Sequence, residues 1–303
     1  MNELIIFLII VAAIIIAARL ISPDKPTEKP SLRPSTLDEF VGQEQAKQVL
    51  RVMTASGKLS DHLLLVGPPG TGKTTLARIA ADRSSLRTAI GGQLRTAKDA
   101  QQMLAGSVML FVDEVHAASR KALEILYSAL EDGVAYEVTL PPDWKFIAGT
   151  TDAGLLPAPF RDRFGYTIFL SWYTEQEIAQ ILLRSAKLLG LKLRGSQLLS
   201  IARRSRGTPR VANALLRRVQ DMHSNGTVNL QQVWKLLAID NRGLNSLDRQ
   251  VLSILRASGQ PMGLDQLARR TGVDTSTISG MVEPYLLRLG LMDITKGGRI
   301  AVK

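Results

Sequence analysis

Apolar positions along this chain fall into three regimes. From Leu4 to Ala18 they are unbroken, and with Arg19 as the sole interruption they continue to Ile21, 18 positions in all. That is the short end of the length that crosses a bilayer as a helix, with Arg19 able to reach the interface. The cations Arg19, Lys25, Lys29 and Arg33 follow the run, whereas only Asn2 and Glu3 separate it from the amino terminus. That asymmetry predicts a single-pass membrane protein, anchored by residues 1–22, with everything after them in the cytoplasm. The alternative is an apolar helix buried in the protein or in an oligomer. Prolines at 23, 26 and 30 then predict an extended spacer over residues 23–31.

In the second regime apolar residues come in short bursts. Leu63–Val66, Thr88–Ile90, Val108–Val112 and Phe146–Thr150 read as buried strands, with helical patterns between them, including one over residues 44–53 and one over 74–81. Strands alternating with helices predict a parallel, doubly wound sheet. The third regime starts near Leu244. Ser246–Leu255 and Leu264–Arg270 read as helices, and Asp274 can cap a third through Ile278, Val282 and Leu286, with Pro284 predicting a kink or an offset start. Residues 291–295 and 299–302 alternate across Lys296-Gly297-Gly298, a small hairpin. Three helices and a hairpin predict a winged helix, whose third helix enters a groove of DNA in the usual docking geometry. Many winged helices bind protein instead.

Chemistry enters at the end of the first strand. Gly67-Pro68-Pro69-Gly70-Thr71-Gly72-Lys73-Thr74 is a complete phosphate-binding loop. Its glycines let backbone N–H groups close around phosphate oxygens, Lys73 reaches the β- and γ-phosphates, and the Thr74 hydroxyl can ligate Mg²⁺. A later strand ends in Asp113-Glu114, one carboxylate to hold Mg²⁺ and one to polarise water. Together the motifs imply ATP hydrolysis with ATP and Mg²⁺ as cofactors. Strand 146–150 ends in Thr150-Thr151, either of which could sense the γ-phosphate, and Arg161-Asp162-Arg163 is either a surface cluster or a source of an arginine acting on a neighbouring subunit.

Charge and composition refine this. The 303 residues carry +11, three scattered His and no Cys, which excludes disulfides and thiolate metal sites. Between Glu177 and Asp221 there are ten cations and no acid, a field that favours a phosphate-bearing partner. From Leu244 onward, eight Lys and Arg against five Asp and Glu favour DNA without requiring it.

Leu32-Arg33-Pro34, Phe40-Val41-Gly42-Gln43, the loop continued through Thr75-Leu76-Ala77, Asp113-Glu114-Val115-His116, Gly149-Thr150-Thr151, Arg161 to Gly165, and Arg206-Gly207-Thr208-Pro209-Arg210 occur in this order. The chain thereby resembles the RuvB-type Holliday-junction branch-migration ATPases of the AAA+ superfamily. The resemblance implies an α/β AAA+ P-loop core over 32–172, a helical lid over 173–240 and a winged-helix DNA-binding domain over 241–303. It implies catalytic roles for Glu114, Thr151 as sensor, Arg163 as a finger reaching a neighbour's nucleotide and Arg210 as a second sensor on the lid. It places Arg33, Val41, Tyr173 and Pro209 around the adenine, with Thr75 beside the phosphates, and gives Arg299 at the wing a DNA contact, joined by Lys296. The expected assembly is a homo-oligomeric ring, a hexamer, moving duplex or four-way junction DNA in recombination and repair.

Two features depart from that family. One is the apolar N-terminal run. The other is the segment 133–140, which leaves room for only a stub of the hairpin that docks the partner RuvA, and so argues against a RuvA-like partner. The stretch Gly91–Asp99 has no aromatic residue and offers Arg95 and Lys98. That suits phosphates better than threaded peptide, so a membrane-tethered DNA motor is the leading expectation. A membrane-anchored protein remodeller using the winged helix as an adaptor is the alternative.

Overall fold

A computed structural model describes residues 30–81, 86–222 and 229–302. The core is a parallel sheet of β1 (Leu63–Val66), β2 (Leu86–Ile90), β3 (Met109–Asp113), β6 (Lys145–Thr150) and β7 (Tyr166–Phe169), in the order β2-β3-β6-β1-β7. The central strands are near-continuous apolar runs because both faces are covered. Successive side chains point to opposite faces. Leu63 and Leu65 therefore join one core, shared with Leu50 and with Ile178, Leu182 and Leu215 of the helices that follow the sheet. Leu64 and Val66 join a second, with Leu104, Leu126 and Phe146.

After β7 come four helices, Glu175–Leu188, Gly195–Arg204, Pro209–Asp221 and Leu230–Leu237. The first is opened by a capping box in which Thr174 accepts from the Glu177 N–H and the Glu177 carboxylate from the Thr174 N–H. The C-terminal module has its own core around Val251, Leu255, Leu267, Ile278 and Leu286. Helices Ser246–Ser258 and Leu264–Thr271 precede a third that starts at Asp274, passes through a π turn at Ile278–Val282 and resumes as Glu283–Arg288. Pro284 sits in the first turn of that last piece, where its missing N–H costs no hydrogen bond, so the offset start is the outcome. β8 (Met292–Thr295) and β9 (Gly298–Ala301) form the wing.

Several expectations need correction. The strand β7 is absent from the strands expected above. It is short, at the sheet edge, and buries only Ile168, so its pattern is weak. Between β3 and β6, β4 (Val134–Ala135) and β5 (Val138–Thr139) make a hairpin of two residues per strand, with Tyr136 exposed at its tip. The membrane-spanning helix expected over residues 4–21, and the spacer up to residue 29, lie outside the described residues. No helix of the described residues is long and apolar enough to cross a membrane. The membrane anchor, the membrane as a partner and the single-pass localisation are accordingly withdrawn from the expected fold, function and partners.

Candidate active site

The carboxyl ends of β1, β6 and β3 lie side by side, with Val66 level with Thr150 and Val112 level with Ala148. This is where an open α/β sheet binds its ligand. The Gly67 N–H donates to the Thr150 carbonyl, 3.1 Å, so the phosphate loop leaves β1 tied to the neighbouring strand. Gly70 and Gly72 adopt φ of +82° and +113°, which only glycine takes cheaply. A side chain at Gly72 would meet the ring of Phe40, and one at Gly70 would meet Arg210. The loop is thus wedged between the N-terminal segment and the lid.

Helix Lys73–Ala80 begins at the loop, so its unpaired N–H groups and positive end face the crevice. Lys73 is buried and its Nζ donates to the carbonyls of Gly67 (2.7 Å) and Pro68 (3.2 Å). Burial lowers its pKa, Glu114 and Asp113 oppose that, and Arg210 adds to it. The Thr74 hydroxyl donates to Asp113 Oδ2 at 2.7 Å. A hydroxyl and a carboxylate converging at a helix N-terminus are hard oxygen donors of the kind Mg²⁺ takes, so the residues fit that ion. Thr71 Oγ1 closes the loop onto the Pro68 carbonyl, 2.8 Å, and Thr75 stands half-buried in the helix's first turn.

Glu114 has φ +48°, in the left-handed region, an uncommon conformation for a glutamate. Its Oε2 accepts from both the N–H and the hydroxyl of Thr151, at 3.1 and 2.9 Å. Thr150 faces the other way: its hydroxyl is 2.8 Å from His116 Nδ1 and accepts from the Asp152 N–H at 3.1 Å. Of the two threonines, Thr151 is the one that touches the carboxylate. His116, 3.5 Å from Glu114, has no role in the reading from sequence, although it closes the Asp113–His116 string.

The lid contributes Tyr173, whose buried hydroxyl donates to the Thr71 carbonyl at 3.1 Å and whose pKa burial raises. Arg210 stands in the first turn of helix Pro209–Asp221 against Gly70, with Pro209 ahead of it. Arg33 is close enough to Arg78, Arg210 and Asp113 to feel all three charges, and partial burial and the two arginines lower its pKa. Val41, half-buried, leads into Gly42, against which the Tyr173 ring packs.

Arg163 does not join this group. Its guanidinium pairs with Glu131, donates to the Tyr127 hydroxyl at 3.0 Å and lies 5.4 Å from the centre of that ring. Arg299 is held by Glu283, with Nε to Oε1 at 2.6 Å and Nη2 to Oε2 at 3.3 Å, and Glu283 is buried. Lys296 is exposed at the tip of the wing. Arg95 is exposed, and its backbone N–H donates to Asp99 Oδ2 at 3.0 Å. The ten-cation run is also less free than its composition suggests: Arg184 pairs with Glu39, Arg203 with Glu175 and Arg206 with Asp248.

Three family models match the chain end to end from residue 32: the Holliday junction DNA helicase RuvB P-loop domain over 32–170, the RuvB AAA lid domain over 173–240 and the RuvB C-terminal winged helix domain over 241–303. The chain belongs to the RuvB family. It is 41% identical over 314 aligned residues to the Holliday junction branch migration complex subunit RuvB of Rhodococcus erythropolis, covering 94% of this chain and 86% of that one. The protein of the same name from Pediococcus pentosaceus is 39% identical, covering 95% and 94%. Among solved structures, the Thermotoga maritima RuvB Holliday junction branch migration motor superposes with a TM-score of 0.81 at 38% identity, over 90% of this chain and 96% of that one. The family's AAA+ core, lid and winged helix are therefore this chain's architecture, and it is an ATP hydrolase using ATP and Mg²⁺.

Proposed function

We propose that this RuvB-family ATPase is a DNA motor that moves duplex or four-way junction DNA, working as a hexameric ring. The observation that carries the hydrolytic part is the grip of Thr151 on Glu114: two hydrogen bonds to one carboxylate oxygen fix a general base beside Lys73, Thr74 and Asp113. Lys73 and Arg210 would bind the phosphates, while Thr74 and Asp113 would hold Mg²⁺, which offsets charge building on the transferred phosphoryl group. Glu114 would orient and deprotonate water, and Thr151 would keep the carboxylate from swinging away before nucleotide is bound. Arg33, Val41, Tyr173 and Pro209 would border the adenine.

Arg163 is engaged by Glu131 and Tyr127, and Glu131 is itself partly exposed. Exchanging such a partner for a neighbour's γ-phosphate costs little. That favours a finger acting across subunits. Mixing Arg163→Ala with Lys73→Ala subunits should recover part of the turnover, and no recovery would assign Arg163 a structural task instead.

The DNA part rests on the lid and winged helix shared with relatives whose names state Holliday junction branch migration. ATP turnover of the full chain with and without duplex and four-way junction DNA tests it. Stimulation by DNA is expected, and turnover indifferent to DNA would favour the protein-remodelling alternative. A hairpin of two residues per strand leaves little to dock on, so a RuvA-type protein should not be retained in a pull-down.

A further inference from the structure

One loop between two lid helices contacts the winged helix. Arg206 and Gly207 join helix Gly195–Arg204 to helix Pro209–Asp221, and both are left-handed, at φ +54° and +64°. For an arginine this is a costly conformation, kept only when the surroundings hold it. The Arg206 guanidinium lies 4.8 Å from the centre of the Tyr285 ring, donates to the Met281 carbonyl at 3.1 Å and pairs with Asp248. All three partners belong to the winged helix. Asp248 is fully buried and also accepts from the Asn245 N–H at 2.8 Å, which caps helix Ser246–Ser258.

In the other direction the same loop reaches the nucleotide crevice. The Gly207 carbonyl accepts from the N–H of Tyr173 at 3.0 Å, and the Tyr173 hydroxyl donates to Thr71 of the phosphate loop. Arg210, against Gly70, stands three residues further on. The carbonyl of Arg206 accepts from Arg288 of the winged helix at 2.8 Å, and the Arg288 guanidinium lies 4.7 Å from the centre of the Trp172 ring, directly before Tyr173. A side chain at 207 would collide with that guanidinium.

We propose that Arg206 and Arg288 are positioning residues that carry the state of the nucleotide site to the winged helix. They fasten the winged helix to the loop that Tyr173 and Arg210 flank. A rearrangement of either residue around nucleotide is then delivered to helix Ser246–Ser258 through Asp248, and to residues 281–288 through Met281, Tyr285 and Arg288. The pair of half-buried Arg206 and buried Asp248 is suited to this task. Pulling Arg206 away would leave Asp248 charged and unpaired in the interior, so the two elements move together rather than part. A cavity of about 430 Å³ beside the loop, lined by Tyr173, Gly207, Arg242, Tyr285 and Arg288 among others, gives these side chains room to rearrange. The purpose of the coupling rests on the DNA-motor reading, but its existence does not.

Amide hydrogen exchange of the full chain tests it, with and without Mg²⁺ and a non-hydrolysable ATP analogue, in the wild type, Arg206→Ala and Arg288→Ala. In the wild type the analogue should slow exchange both around Tyr173 and across helix Ser246–Ser258. In Arg206→Ala the response at Tyr173 should remain and that of helix Ser246–Ser258 should vanish, whereas in Arg288→Ala the response that vanishes should be that of residues 281–288, which the analogue slows in the wild type. Should Arg206→Ala fail to fold, Arg288→Ala, at an exposed position, decides alone. The proposal is overturned if the wild-type helix does not respond. It is equally overturned if the variants raise helix exchange by the same factor in both nucleotide states, since that is a stability effect only. A second arm measures DNA affinity: the analogue should change it about tenfold in the wild type and by a factor near one in the variants. A wild type that transmits nucleotide binding to the helix yet binds no DNA would sink the DNA-motor reading and leave the coupling standing.

Discussion

Lys73 in the phosphate loop and Arg299 in the wing are both cations matched by their sequence context to a phosphate-bearing ligand, yet the fold houses them in opposite ways. Lys73 is buried, but its partners are two backbone carbonyls, neutral groups that can exchange an ammonium for water or for another donor. Arg299 is closed by both oxygens of a buried carboxylate. For Lys73 to turn to a phosphate, two ordinary hydrogen bonds are lost. For Arg299 to do so, Glu283 would be left charged and unpaired in the interior. A cation's partner therefore says more about its availability than its own exposure does. By this measure Lys73 is available to a ligand, and much of Arg299 belongs to the wing's own structure.

The largest effect that sharpens this contrast is expected from Glu114→Gln, which should cut ATP turnover by about 10²- to 10⁴-fold while a calorimetric titration still shows ATP bound. Lys73→Ala should lower turnover by about 10²- to 10³-fold or more and abolish ATP binding, with the melting temperature close to that of the wild type. Retained tight binding would break the assignment of the loop. Arg299→Ala should instead show up in stability, destabilising the winged helix by about 3–5 kcal/mol in denaturant unfolding because it strands Glu283. An apolar double variant, Arg299→Met with Glu283→Leu, should regain most of that. If DNA affinity returns along with stability, Arg299 does not touch DNA, whereas a lasting deficit would show that it does.

Lys296→Ala, at the exposed tip of the wing, should leave stability alone, weaken all DNA sequences alike and lower the salt dependence of binding by about one ion. The smallest effect concerns Asp274. Hydrogen bonds from Ser276 and Thr277 lower its pKa from 3.8 to about 2. Its stabilisation is then complete above pH 4 and is lost as the pH falls through 2. Melting curves of Asp274→Ala and the wild type should differ at neutral pH and converge near pH 2.

Most of the nucleotide site was legible in the chain because its parts are local: a glycine loop, an acidic strand end and a threonine pair each announce themselves within a few residues. Contacts between these parts were not. That Glu114 is held by Thr151 and that Thr150 turns to His116 depends on the register of β3 against β6, which no local pattern encodes. The loop Arg206-Gly207 stood in the sequence as part of a positive stretch. Its partners Asp248, Tyr285 and Arg288 lie 42 to 82 residues away and could only be found in the fold. β7 is hard to read from the chain for a related reason, since an edge strand that buries one residue leaves little apolar signature.

Gly91, at the root of the loop that carries Arg95, packs directly on the carbonyl of Glu114, where even a methyl group would not fit. Position 91 lies outside the phosphate loop and the Asp113-Glu114 strand end. A survey of random variants would nevertheless find it intolerant, and would score it as a catalytic loss. Drift is thereby closed off at position 91, and a descendant of this chain could remodel the loop that carries Arg95 only from Gly92 outward.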